Sequence, residues 1–247
     1  MEQQVHNRLR DDAAQGGQPL RCRYRRIELH ELELFNQLNR EVFKHTAFTL
    51  PLHVIRRRNN ELFSADPMMF GIVEASKDGH YTPVGMSHII PLNDLGASLY
   101  VRNGGLKDSE ISARYAAKQG EWSDSLVLFS MGILKSSRDL LKDRHLLLPA
   151  VFADHLVDLI SEMCSLHPDR SHVRVYAQTE KPNGGIGRLL ARLGFEETSI
   201  IGGDGYPLWE LRLALPERSR TQGVRPTLSA VVGAWREMLP YRWVRGR

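Results

Sequence analysis

The sequence predicts an α/β domain built on a mixed sheet with helices on both faces. Three observations predict it. Residues 172–195 read as a strand, a polar loop, a short helix and a Gly-Phe stop. Residues 70–91 read as two strands around a Lys77-Asp78-Gly79 turn, an antiparallel hairpin. Between them an apolar strand candidate at 126–134 precedes a long helical pattern at 146–166. A hairpin early and strand–helix alternation late is the pattern of a mixed sheet covered on both sides.

The bulk composition agrees with a globular protein. The chain has 247 residues, 42% hydrophobic and 25% charged, enough for one large domain with its own core. Its two cysteines, Cys22 and Cys164, have no CxxC spacing and no ligand cluster around them, so a reducing cytoplasm is the expected compartment. The net charge of +4 is a small excess and does not point to nucleic acid. Part of it lies at the ends, in Arg21, Arg23, Arg25 and Arg26 and in Arg242, Arg245 and Arg247, read as solvated tails. No apolar run reaches the ~20 residues of a membrane span. The first 19 residues have no apolar stretch of the secretory kind.

The elements follow in order. Residues 1–20 are polar and are expected to be a disordered tail. A first strand is expected at 23–29. Leu32, Phe35, Leu38 and Val42 line one face of a helix over 31–43. A second helix follows Pro51 over 52–63, with the RRRNN run at 56–60 as its wet face. Strands are expected at 70–76 and 82–91. Residues 94–120 have weak periodicity and read as a long connection, with a turn at Asn103-Gly104-Gly105. The helix at 146–166 has Pro149 in its first turn or just before it. A strand at 173–179, a helix at 186–193 closed by Gly194, and a last strand at 208–215 complete a domain over 21–216. A linker and an amphipathic helix at 227–239 fill 217–247, and that helix offers a face for a homodimer.

The segment RVYAQTEKPNGGIGRLLARLGFEE at 174–197 resembles the GNAT superfamily of acetyl-CoA-dependent N-acetyltransferases, and the element order is similar over about 23–215. Asn183 matches the polar-loop Asn, and Gly194-Phe195 match the helix stop. The resemblance implies two parallel strands, 126–134 and 173–179, that splay apart at one end. Acetyl-CoA, or another acyl-CoA, would then be the co-substrate. Its pantetheine arm would pair with the earlier strand like an added strand. Its pyrophosphate would rest at the next helix start. The implied binding residues are Met131, Ile133, Leu134, Ser136, Ser137, Arg138 and Asn183. The family's glycine loop is replaced here by ILKSSRDLLKDRHLLLPAVF, where Lys135, Lys142 and Arg144 add positive charge. A family Tyr five residues before the Phe of Gly-Phe falls on Leu190, which cannot donate a proton.

Acyl transfer to an amine needs a base, an oxyanion donor and an acid for the leaving thiolate. The candidates are Glu121 and Asp124 before the 126–134 strand, and Tyr176 on the later one. Ser130 and His88 are further candidates, although His88, within VGMSHII, reads first as a hydrogen-bonded core histidine. His155 reads as structural. Gly132 marks either a bulge or a glycine packed under a helix. Asp204 and Tyr206 either line a substrate mouth or shape the 200–207 turn. No metal site is expected. The expected function is transfer of an acyl group to an amine of a small molecule or a protein. The alternatives are a non-catalytic binding or regulatory module of the same fold, and an enzyme similar to acyl-homoserine-lactone synthases.

Overall fold

The computed structural model describes residues 21–46, 48–76, 79–107, 110–137, 144–167, 169–170, 172–179, 185–202, 205–214 and 242–243. The strands are β1 (Arg21–Arg26), β2 (Phe70–Ser76), β3 (Thr82–Leu92), β4 (Ser125–Ile133), β5 (His172–Gln178), β6 (Glu196–Ile201), β7 (Pro207–Ala214) and β8 (Arg242–Trp243). The α-helices are α1 (Leu32–Phe43), α2 (Leu52–Ala65), α3 (Asp94–Arg102), α4 (Arg144–Leu166) and α5 (Gly185–Arg192). One sheet joins the strands in the order β6-β7-β5-β4-β3-β2-β1-β8. β1 to β4 are antiparallel neighbours, β4 and β5 run parallel, and β5, β7 and β6 are antiparallel again.

Alternation along the strands divides the core. Leu126, Val173 and Val175 pack with Phe152, Leu156, Leu159 and Ile160 of α4 and Leu190 of α5. Ile72, Met86, Ile90 and Val127 pack on the other face with Phe35 and Leu38 of α1, Leu62 of α2 and Tyr100 of α3. This is the mixed sheet with helices on both faces that the sequence predicts.

Local chemistry sets the boundaries. Pro51, with φ near −58°, leads into α2. Asn93 caps α3, its side-chain oxygen accepting from the Gly96 amide at 2.9 Å. Gly194, at φ +87°, ends the chain's turn after α5.

Four expectations change. The long connection at 94–120 begins with helix α3. A strand, β6, lies between α5 and β7, and the 200–207 segment makes the turn of that hairpin. Helix α4 begins at Arg144, so Pro149 is its sixth residue rather than part of its first turn. The RRRNN run is not one wet face: Arg56, Arg57 and Asn60 are exposed, but Arg58 and Asn59 are buried. The reason is helical spacing, since Ile55, Arg58, Asn59 and Leu62 share the face that α2 turns inward. The tail at 1–20 and the helix expected at 227–239 lie outside the described residues. Among the described residues no helix is long and apolar enough to cross a membrane.

Candidate active site

The parallel pair β4–β5 is registered from Ser125 opposite Arg174 to Leu128 opposite Ala177. Beyond that point β4 continues for five more residues, 129–133, still paired with β3, while β5 ends at Gln178. The β4–β5 ladder therefore stops at Leu128 and Ala177, and beyond this apex the edge of β4 turned away from β3 has no strand partner among the described residues, an open wedge. The Leu134 amide donates to the Val84 carbonyl on β3 at 2.8 Å. By the alternation of an antiparallel ladder, Gly132 and Ser130 also turn their backbone toward β3, whereas Met131 and Ile133 turn theirs into the wedge.

A bulge interrupts β4 at its middle. His88 is opposite Ser130 and Ile89 is opposite Leu128, so Phe129 is the extra residue. The bulge puts Phe129 and Ser130 on the same side of the sheet. Phe129 packs with the α1–α2 cluster, and the Ser130 hydroxyl accepts from Asn39 of α1 at 3.2 Å. Gly132 is a separate matter. A Cβ there would lie 2.3 Å from Val42 Cγ1, so this glycine is the one packed under a helix, and the bulge is three residues earlier.

Around the bulge lies a buried polar cluster on the α1–α2 face. The Arg58 Nε donates to Asn59 Oδ1 at 3.0 Å, and Asn59 Nδ2 donates to Asn36 Oδ1 at 2.8 Å. The Arg58 guanidinium lies over the Phe129 ring, 4.6 Å from its centroid. His88 is in the same cluster, ringed by Phe70 at 4.3 Å, Phe129 at 5.2 Å and Phe35 at 5.6 Å between centroids. It is fully buried, yet neither ring nitrogen has a hydrogen-bond partner. The hydrogen-bonded core histidine expected at this position is therefore corrected: His88 is in the core, but unbonded. Burial, and next the charge of Arg58, hold its pKa well below the usual imidazole value, so the ring is neutral. His155 shows the contrast. Its Nδ1 accepts from the Ser87 hydroxyl at 2.8 Å and its Nε2 donates to the Met68 carbonyl at 2.9 Å.

The sequence-predicted residues fall in three places. Met131, Ile133, Leu134, Ser136 and Ser137 lie along the open arm of the wedge and the short 3-10 turn after it. Arg138, Lys142 and Asn183 are outside the described residues. Glu121 and Asp124 precede the other end of β4. The nine residues of β4 span roughly 30 Å at the rise of a strand. Both acids serve the local loop: Glu121 Oε2 accepts from the Lys118 amide at 2.9 Å, and Asp124 accepts from the Trp122 indole N–H. Tyr176 is buried in the registered part of β5, opposite Val127, with its ring 6.0 Å from that of Tyr100. Burial raises its pKa. The described binding candidates are thus contiguous along β4 and the turn after it, Glu121 and Asp124 are at the other end of β4, and Tyr176 is one residue from the apex at Ala177. Leu190, at the position of the family Tyr, is in the core under α5.

Three loops gather at the end of β5. The Gln178 side-chain amide donates to the Gly104 carbonyl. A Cβ on Gly104 would meet Gly202 N at 2.6 Å, which sets the 103–105 turn against the β6–β7 hairpin turn. Tyr206 from that hairpin packs on Phe48 of the α1–α2 connection, 5.8 Å between centroids. Tyr206 thus shapes this rim, and Asp204 is outside the described residues. Among the described residues no group of three or more His, Cys, Asp or Glu could hold a metal ion.

A mixed sheet with helices on both faces and one parallel pair whose ladder stops short of the end of β4 fits the architecture the GNAT resemblance implies. Solved structures similar to the chain include the NatC complex bound to Gag peptide and CoA, at 13% identity and TM-score 0.48 over 79% of this chain and 99% of that one. A ribosomal-protein-alanine N-acetyltransferase from Brucella melitensis is similar at 15% identity and TM-score 0.46, over 78% of this chain and 99% of that one. The protein yncA from Salmonella typhimurium, with its cofactor acetyl-CoA, is similar at 13% identity and TM-score 0.43, over 81% and 98% of the two chains. No family model matches the sequence, and no curated protein matches it.

Proposed function

We propose that this chain is an acyl-CoA-dependent N-acyltransferase that transfers an acetyl or related group to an amine of a small molecule or a protein. The observation that carries the reading is the wedge: the β4–β5 ladder stops at Leu128 and Ala177, and Met131 and Ile133 face the gap with their backbone groups. An extended amide-containing arm fits such an edge as an added strand. Its phosphate end would lie beyond Ile133, near Leu134, Ser136 and Ser137 and the start of α4, where Lys135 supplies charge. Arg138 and Asn183 are the further residues this reading assigns to the donor. With Cys22 and Cys164 both free, a reducing cytoplasm is the compartment it takes.

A second reading, a binding module of the same fold, has one observation in its favour. No glycine lies between Leu134 and α4, so phosphates would have to be held by side chains rather than by a closely approaching backbone. Titration with acetyl-CoA tests donor binding, and thermal unfolding reads it. At 100 times its dissociation constant the ligand adds about 2.7 kcal/mol of stability. No shift at millimolar acetyl-CoA would sink the reading for that donor. A shift without CoA release in the presence of any amine would select the binding module.

A further inference from the structure

The unbonded imidazole of His88 is an exception to a strong rule. Buried polar side chains are nearly always hydrogen-bonded, because an unmade bond leaves the full desolvation cost unrecovered. His155, one strand face away, obeys that rule with two partners. His88 has none, although Ser130, Asn39, Asn59 and Arg58 lie in the same cluster. A neutral imidazole holds one N–H and one lone pair, and here neither meets a partner among the described residues.

The position of the ring points to a partner. His88 is opposite Ser130 across the β3–β4 ladder, and Phe129, the bulged residue next to the wedge apex, lies edge-on to it. Of the three phenyl rings around His88, Phe35 and Phe70 are fully buried and Phe129 is only half-buried. Phe129 is thus the part of this ring cage that reaches solvent. A donor with its phosphates beyond Ile133 and its arm along Ile133 and Met131 brings its thioester to this bulge.

We propose that His88 is the acid–base group of the transfer site, reached past the Phe129 ring by the acceptor amine and the thioester. This rests on the acyltransferase reading above. The amine nitrogen attacks the thioester carbon, a C–N bond forms, and the carbonyl electron pair moves to oxygen. The imidazole lone pair takes a proton from the nitrogen that has become cationic. The oxygen pair then returns, the C–S bond breaks, and the imidazolium gives that proton to the departing sulfur. The products are an amide, the CoA thiol and a neutral imidazole. Arg58 from α2 and, through the sheet, His155 from α4 are the charged or titratable groups acting on the ring; α1, β2 and β4 bring Phe35, Asn39, Phe70, Phe129 and Ser130. A nearby cation that disfavours the imidazolium makes it a ready proton donor to the thiolate.

The test uses the full chain and His88→Gln. Acetyl-CoA binding is measured by calorimetry, and CoA release is followed with simple primary amines and short peptides bearing free amino termini. The expected result is acetyl-CoA affinity within about twofold of wild type, kcat lowered by about 100-fold or more, and loss of the acid limb of the kcat–pH profile, which in wild type lies well below the usual imidazole range. A His88→Gln protein that binds acetyl-CoA and keeps both the wild-type kcat and its pH profile overturns the proposal while the acyltransferase reading stands. Failure of the wild-type chain to bind acetyl-CoA, or to release CoA with any amine, overturns both. A second measurement needs no variant. In 15N spectra of the wild-type imidazoles, a non-transferable ketone analogue of acetyl-CoA together with an amine should move the His88 nitrogens to hydrogen-bonded values. Saturating analogue and amine that leave them unchanged overturn the proposal.

Discussion

His155 makes both of its hydrogen bonds as a neutral ring, and burial lowers its pKa from 6.5 to about 4. The unfolded chain takes up that proton near 6.5 and the folded one resists until about 4. The contribution to stability is therefore complete above 6.5 and is lost as pH falls from there toward 4, by about 3 kcal/mol at 1.36 kcal/mol per unit. His155→Gln has no charge to gain. Urea unfolding near pH 7.5 and near pH 4.5 should show a smaller acid loss in the variant than in wild type. Equal losses would remove His155 as the cause. Gly132 gives a second expectation at this scale. Its missing Cβ leaves the space taken by Val42, 2.3 Å away, so Gly132→Ala should cost about 1–3 kcal/mol by overpacking. Val42→Ala should restore part of that loss in the double variant, read by denaturant midpoints as a coupling energy.

At the scale of elements, the wedge depends on what holds its rim. The 103–105 turn touches the β6–β7 hairpin turn backbone to backbone, with Gly104 at φ +66°. An alanine there would be strained by its conformation and would drive its Cβ to within 2.7 Å of Ile201 C, a backbone atom that cannot swing aside. Gly104→Ala should lower stability by about 1–3 kcal/mol, visible as a fall in Tm. An unchanged Tm would mean that the two turns are not held together in solution. The helix α2 is anchored differently. It carries a cation and an amide inward on the same stripe as Ile55 and Leu62, and answers them with Asn36 of α1 and the face of Phe129. The α1–α2 pair therefore packs on the sheet through a polar seam as well as an apolar one.

For the whole molecule, the sheet and its two covered faces were legible in the sequence because they follow from periodicity. The strands at 70–76, 82–92 and 125–133 and the helices at 32–43 and 144–166 are all near their expected places. Strand β6 was not legible, since Glu196, Glu197 and Thr198 give an edge strand little apolar alternation. The buried polar cluster was misread for a related reason. Charge was weighed above position at Arg58 and Asn59, although the spacing 55, 58, 59, 62 marks one face. The bulge at Phe129 has no sequence signal, because it exists only in the register of β4 against β3. Without it the side of the sheet that Ser130 faces cannot be read from its place in the chain.

The join between the two halves of the sheet has a consequence of another kind. Among the described residues only four registered pairs, Ser125–Arg174 to Leu128–Ala177, link β1–β4 to β5–β7 within the sheet. Such a short ladder is where sub-global opening is cheapest, so amides along this join should exchange with solvent faster than those of β2–β3, with both halves still protected. Widening the gap then becomes a hinge motion between two intact foldons, and entry of a bulky guest does not require either of them to melt.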